Sequence, residues 1–77
     1  MEDLLEYLAR NLVDAPDEVR VTRSEREDAV VLELRVAPDD VGKVIGRHGR
    51  IARALRTIVR ASGAKSGSRV LLEIVSE

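Results

Sequence analysis

Apolar residues recur along this chain of 77 residues with two different periods, and the switches between them predict the order of its elements. Leu4, Leu5, Leu8 and Leu12 lie three or four apart, the spacing of one helix face, with Asp3 available as a cap and Asp14-Ala15-Pro16 as a stop. They predict a first helix from about Asp3 to Val13, with Tyr7, the only aromatic residue, in its packing. The period then falls to two. Val19 and Val21 alternate with Arg20 and Thr22, and Val30, Leu32, Leu34 and Val36 alternate more cleanly beyond them, which predicts two strands joined by a charged hairpin over Ser24-Glu25-Arg26-Glu27-Asp28. Ala37-Pro38-Asp39-Asp40 ends the second strand, and its two aspartates read as caps for a short helix holding Val41, Val44 and Ile45.

Gly46 to Gly49 interrupts that helix, and from Gly49 onward Ile51, Leu55, Ile58 and Val59 share one face of a longer helix expected to stop near Ser62-Gly63. Ala64 to Ser68 reads as a small, mobile linker, and Val70, Leu72 and Ile74 alternate with Leu71, Glu73 and Val75 as a third strand. The order is αββααβ. Three half-polar strands cannot bury themselves, so the economical packing lays all three helices on one face of a single sheet. The long helical connection between the second and third strands permits a parallel crossover. The expected fold is therefore α+β, one domain over residues 1–77, with a three-stranded mixed sheet. Its open face would show Val31, Glu33, Arg35, Leu71, Glu73 and Val75 and carries no aromatic residue, which excludes the stacking platform of an RRM.

Composition narrows the chemistry. The absence of Cys removes disulfides and thiolate metal sites, and a single His makes a zinc site a poor prospect, so no metal or cofactor is expected. No apolar run approaches the roughly 20 residues needed to span a bilayer, and Met1 leads into Glu2 and Asp3 instead of a basic leader. A soluble, cytoplasmic protein without a membrane partner is the expectation. An enzyme is not, because the chain has neither a Cys–His or Ser–His–acid set at a credible spacing nor a P-loop.

Charge divides the chain in two. Residues 1–40 hold twelve acids and five bases, residues 41–77 eight bases and two acids, and nothing acidic lies between Val41 and Leu72. The net charge of −1 thus conceals a basic patch, and a local patch is what nucleic-acid binding requires. Within it stands Val44-Ile45-Gly46-Arg47-His48-Gly49-Arg50-Ile51. Gly-x-x-Gly alone means little, since at about 7% glycine a chain of this length has roughly one chance in three of containing it. Its position means more. The loop joins two helices and leaves Gly49 at the N-terminus of the second, where free N–H groups and the helix dipole favour an anion. Absence of Cβ at Gly46 and Gly49 would let a phosphodiester approach the main chain. Arg50 and Arg53 oppose the dipole of the following helix, a small cost that a bound anion would offset. Arg56 and Arg60 continue the series and read equally as a solvated face. Val44, Ile45 and Ile51 have two readings, core or binding groove.

The αββααβ order with this loop between its helices resembles a type II KH domain, in the manner of the small stand-alone KH proteins of bacteria. Isoleucine before the first glycine, a basic pair inside the loop and Ile51 two residues after the second glycine carry the resemblance, with Val36-Ala37-Pro38-Asp39-Asp40-Val41-Gly42-Lys43 before it and Ala52-Arg53-Ala54-Leu55-Arg56-Thr57 after it. It implies a clamp for single-stranded RNA, in which the loop grips the backbone and about four bases lie in an adjacent aliphatic groove. Carried over residue by residue, the RNA-binding set is Lys43, Ile45, Gly46, Arg47, His48, Gly49, Arg50, Ile51 and Arg53, with Lys65 and Arg69 bordering the groove. The resemblance further implies an RNA chaperone that forms a homodimer or pairs with a larger KH-containing protein, acting in cell division, cell shape and peptidoglycan homeostasis. A rival reading is a protein-interaction module that uses the basic face and the exposed sheet.

Overall fold

The computed structural model describes residues 2–65 and 67–76. Its order is α1 (Glu2–Arg10), β1 (Arg20–Arg26), β2 (Ala29–Val36), α2 (Val41–Ile45), α3 (Arg50–Lys65) and β3 (Arg69–Ser76), with single 3-10 turns at Pro16–Glu18, Pro38–Asp40 and Arg47–Gly49. The expected αββααβ α+β fold is present. The sheet runs β1-β2-β3, with β1 antiparallel and β3 parallel to the central β2.

The helices share one core with one face of that sheet. Val30, Leu32, Leu34 and Val36 of β2 and Val70 and Leu72 of β3 meet Leu5 and Ala9 of α1, Val44 of α2, and Leu55 and Val59 of α3. Each element therefore shows its own period on its buried side, and burial of these residues supplies the main force that orders them. Ile58 departs from expectation at 37% exposed, because it lies at the edge of the α3 stripe instead of its centre. Tyr7 departs further and is 65% exposed on the outer side of α1.

Several boundaries move for local reasons. The first helix ends at Arg10, three residues early: Asn11 N–H is shared between the Tyr7 and Leu8 carbonyls, Leu12 N–H falls to the Ala9 carbonyl in a tighter turn, and the Asn11 side-chain amide donates to the Tyr7 carbonyl at 2.8 Å. Leu12 and Val13 still pack on the core from beyond it. The charged hairpin contracts to Glu27-Asp28, since Ser24, Glu25 and Arg26 all pair with β2.

Val31 was expected on the open face of the sheet and stands there, yet it is only 2% exposed. The strand registers explain why. Arg26 is opposite Ala29 and Glu73 is opposite Glu33, so the Arg26–Glu73 ion pair at 3.9 Å crosses the sheet over Val31, which lies between them on the central strand. Leu71 at 39% remains exposed.

The end of α3 also differs. Gly63 does not stop the helix, which continues to Lys65. A Cβ on Gly63 would stand 2.4 Å from Val70 Cγ2 and 2.9 Å from the Ser68 carbonyl, so this glycine lets α3 approach β3. The stop is Gly67, at φ +74°, whose N–H donates to the Ala64 carbonyl while Ser68 N–H donates to Gly63. That pair of bonds is a Schellman ending. Ala64 and Lys65 are thus helical and Gly67-Ser68 form a bonded turn in place of a mobile linker; Ser66 lies outside the described residues.

Candidate nucleic-acid interface

Helix α2 has only five residues, and its last turn is closed by Gly46 N–H donating to the Gly42 carbonyl at 2.8 Å. Gly46 then adopts φ +77°, ψ 172°, a conformation essentially confined to glycine. Its missing Cβ has a second purpose, since a Cβ there would lie 2.7 Å from Ile51 Cγ1. Ile51 fills that side of Gly46, so a phosphodiester cannot approach there, contrary to the expectation from sequence. Gly49 differs. At φ +72° it has nothing within 4 Å of the Cβ position, and this is the face of the loop open to a backbone.

Between the glycines, Arg47 to Gly49 forms a 3-10 turn closed by Gly49 N–H on the Gly46 carbonyl at 3.1 Å. His48 sits at its tip with φ 57°, ψ 23°, in the left-handed region that His tolerates better than most residues. Arg47 and His48 are both exposed. Arg53 reaches back from α3 to the His48 carbonyl at 3.5 Å, which sets its guanidinium beside the loop tip. The first turn of α3 contains no acid, so no carboxylate of its own answers its dipole. Ile45, at 38%, and half-buried Ile51 offer apolar surface next to these cations, whereas Val44 is fully buried and belongs to the core.

Lys43, one turn before the loop, is held differently. Its ammonium pairs with Asp14 at 3.0 Å and Asp40 at 3.4 Å. Asp40 does not cap α2 as the sequence suggested; its carboxylate is 2% exposed and accepts the N–H groups of Ala15 at 3.0 Å and Asp14 at 3.3 Å. Burial pushes the Asp40 carboxyl up, but those two N–H groups and Lys43 outweigh it and hold the group below its ordinary value. The hydrogen bond to Asp14, then that residue's charge, raises the Lys43 ammonium against its desolvation, with Asp40 adding to the effect. The cluster ties the chain after α1 to the base of the loop. Asp40 and Asp14 were missed as partners because 25 or more residues separate the contacting groups; only the i, i+3 spacing of Asp40 and Lys43 was visible.

The other cations fall into two groups. Arg10, Arg23, Arg26 and Arg35 have carboxylate partners like Lys43, and Arg20 donates to the Asp17 and Val19 carbonyls, whereas Arg47, Arg50, Arg53, Arg56, Arg60, Lys65 and Arg69 have no carboxylate partner among the described residues. Most of the expected site gathers at the loop: Ile45 to Ile51, with Arg53 and, behind them, Lys43. Lys65 and Arg69 do not join it. They stand at the other end of α3, about 22 Å along the helix axis. Among the described residues no group of His, Cys, Asp and Glu could hold a metal ion. No helix among them is long and apolar enough to cross a membrane.

A sheet of this topology carrying a glycine-flanked basic loop between its second and third helices defines a KH domain of the type II arrangement. The family can be given more narrowly. A sequence model described as the KH domain of KhpA/KhpB matches residues 2–74, and the chain belongs to that family. It is 60% identical over 74 residues to the RNA-binding protein KhpA of Treponema pallidum, covering 96% of this chain and 92% of that one. It is 59% identical to the RNA-binding protein KhpA of Aquifex aeolicus, over 97% of this chain and 95% of that protein. The RNA-binding protein KhpA of Clostridium acetobutylicum is 52% identical, over 97% and 100% respectively. This is not a family of enzymes.

Proposed function

We propose that the protein binds single-stranded RNA, with the GRHG loop holding the sugar-phosphate backbone and bases resting on the aliphatic surface of Ile45 and Ile51. The observation that carries this reading is the run of arginines without a carboxylate partner among the described residues, Arg47, Arg50 and Arg53, around a loop whose Gly49 face is open. Relatives bearing the name RNA-binding protein support it. Lys43 contributes at the base of the loop, where it exchanges a carboxylate for a phosphate only against its two existing partners. With no Phe or Trp in the chain to stack on, bases are held weakly, so a single domain gains from pairing. A second copy, or a larger KH protein of the KhpB kind, is the partner this family membership suggests. Work as an RNA chaperone in the cytoplasm, affecting cell division, cell shape and peptidoglycan synthesis, would follow from that pairing. The rival reading, a docking module on the sheet, is weakened by the covering of Val31.

The test is direct. Replacing Arg47 and His48 together by Asp should abolish binding to single-stranded RNA and leave the circular-dichroism melt nearly unchanged, because both side chains are exposed. Retained affinity in that variant would sink the loop mechanism. Neutralising about three phosphates should also give a log–log salt slope near −2, and a flat response would favour a protein ligand.

A further inference from the structure

No acid lies between Val41 and Leu72 in the sequence, yet the fold carries two carboxylates to the base of the GRHG loop. Lys43, three residues before Gly46, has Asp14 Oδ2 at 3.0 Å and Asp40 Oδ1 at 3.4 Å from its ammonium. The two acids are held in opposite ways. Asp40 is buried, and its oxygens also accept the N–H groups of Asp14 and Ala15, so its departure would orphan two backbone donors. The Asp14 side chain is 82% exposed, and its carboxylate has no partner but Lys43 among the described residues. It can therefore turn away while its own N–H stays bonded to Asp40. Asp40 thus fixes both sides of the contact, the backbone that carries the Asp14 carboxylate and the ammonium that receives it. The Lys43 side chain remains 42% exposed with both acids in place, which leaves it within reach of a ligand from outside. A carboxylate oxygen and a phosphate oxygen make the same demand on an ammonium, a short charge-assisted hydrogen bond.

We propose that Asp14 is a built-in competitor of RNA at Lys43, a stand-in for phosphate that occupies the ammonium in the free protein and is displaced when a strand enters the loop. Asp40 is the positioning residue of this exchange and stays bonded throughout. The inference rests on the RNA reading of the loop and adds a brake to it. Displacement weakens RNA binding by the strength of the pair it breaks, and a pair this exposed is weak. Removing the Asp14 charge should accordingly raise RNA affinity by about two- to five-fold, the range that exposed ion pairs span. The gain must pass through Lys43, which separates the brake from a general loss of negative charge.

The experiment measures binding of a fluorescein-labelled oligouridine to the full chain by anisotropy at 0.15 M salt. Asp14→Asn should tighten binding by the stated factor. Asp28→Asn is the control, because it removes the same charge from a residue that borders a cavity with Ser68, past the far end of α3. Screening over a Debye length of about 8 Å should leave affinity there nearly unchanged. Lys43→Met should weaken binding, and in that background Asp14→Asn should gain no more than Asp28→Asn does. A second readout needs no variant of Lys43: in the unmodified protein, saturation with oligouridine should move the carboxyl 13C resonance of Asp14 and leave that of Asp40 in place. An Asp14→Asn gain no larger than the control, a gain that persists in Lys43→Met, undiminished binding by Lys43→Met alone, or an Asp14 resonance that stays put at saturation would each overturn the proposal. Failure of the loop reading is separate, since it appears as oligouridine binding that survives Arg47→Asp/His48→Asp.

Discussion

The turns at the two ends of α3 are built from the same parts and do different work. Each begins with a glycine whose missing Cβ is replaced by an apolar side chain, Ile51 at Gly46 and Val70 at Gly63. Each ends on a glycine with positive φ and open space beside it, Gly49 and Gly67. At the far end, however, the filled glycine is helical and the turn is a bonded helix ending. At the near end Gly46, His48 and Gly49 all have positive φ, so three of four consecutive residues occupy a region that costs most side chains energy. The second turn is packing. The first is packing with strain held in an exposed, cationic loop, the end at which RNA binding is proposed.

The comparison can be broken at Gly46 first. Gly46→Ala meets both penalties, a conformation reserved for glycine and a clash with Ile51, and should cost about 3 kcal/mol in denaturant unfolding. A loss below about 1 kcal/mol would mean that the loop relaxes freely. Gly63→Ala carries only the packing penalty and should cost about 2 kcal/mol, with much of it recovered in the double variant Gly63→Ala/Val70→Ala, where the obstructing methyls are gone. Gly49→Ala carries only the conformational penalty, about 1 kcal/mol, and should weaken RNA binding by more than that stability loss accounts for, because the added methyl fills the open face.

The smallest effect concerns what anchors the near turn from outside. Asp40 has a folded pKa below its unfolded value, so the stability it contributes is present above the ordinary carboxylate range and is lost as pH falls through the depressed value. Lys43 works in the opposite direction, its contribution complete at neutral pH and lost only as pH rises through a value above 10.5. Asp40→Asn should therefore lower Tm by a few degrees at pH 7, and by less at an acid pH below the ordinary carboxylate range. An equal offset at both pH values would show that the ion cluster is not the cause.

Much of this was legible in the residues. The two apolar periods lead to the right elements in the right order because a half-buried helix and a half-buried strand each repeat their contact with the core. The GRHG loop stood out because glycine, cations and the lack of acids coincide there. Other features were misread for physical reasons. Gly63 reads in the sequence as a stop, though glycine serves close approach as readily as termination, and the difference lies in where Val70 falls. Asp40 reads in the sequence as a cap, because its partners at 14 and 15 are remote in the chain. Alternation puts Val31 on the correct face but not its burial, since an ion pair between the two outer strands covers it.

The amino-acid sequence alone determined the layer architecture, the separation of charge and the position of the loop, all of which follow from local period and composition. Tertiary structure decided the rest. It showed that Gly46 is closed by Ile51 while Gly49 is open, that Lys43 is already engaged by two carboxylates, and that Arg69 faces Arg60 and not the loop. Each of these depends on a contact between groups whose distance along the chain does not reveal their distance in space.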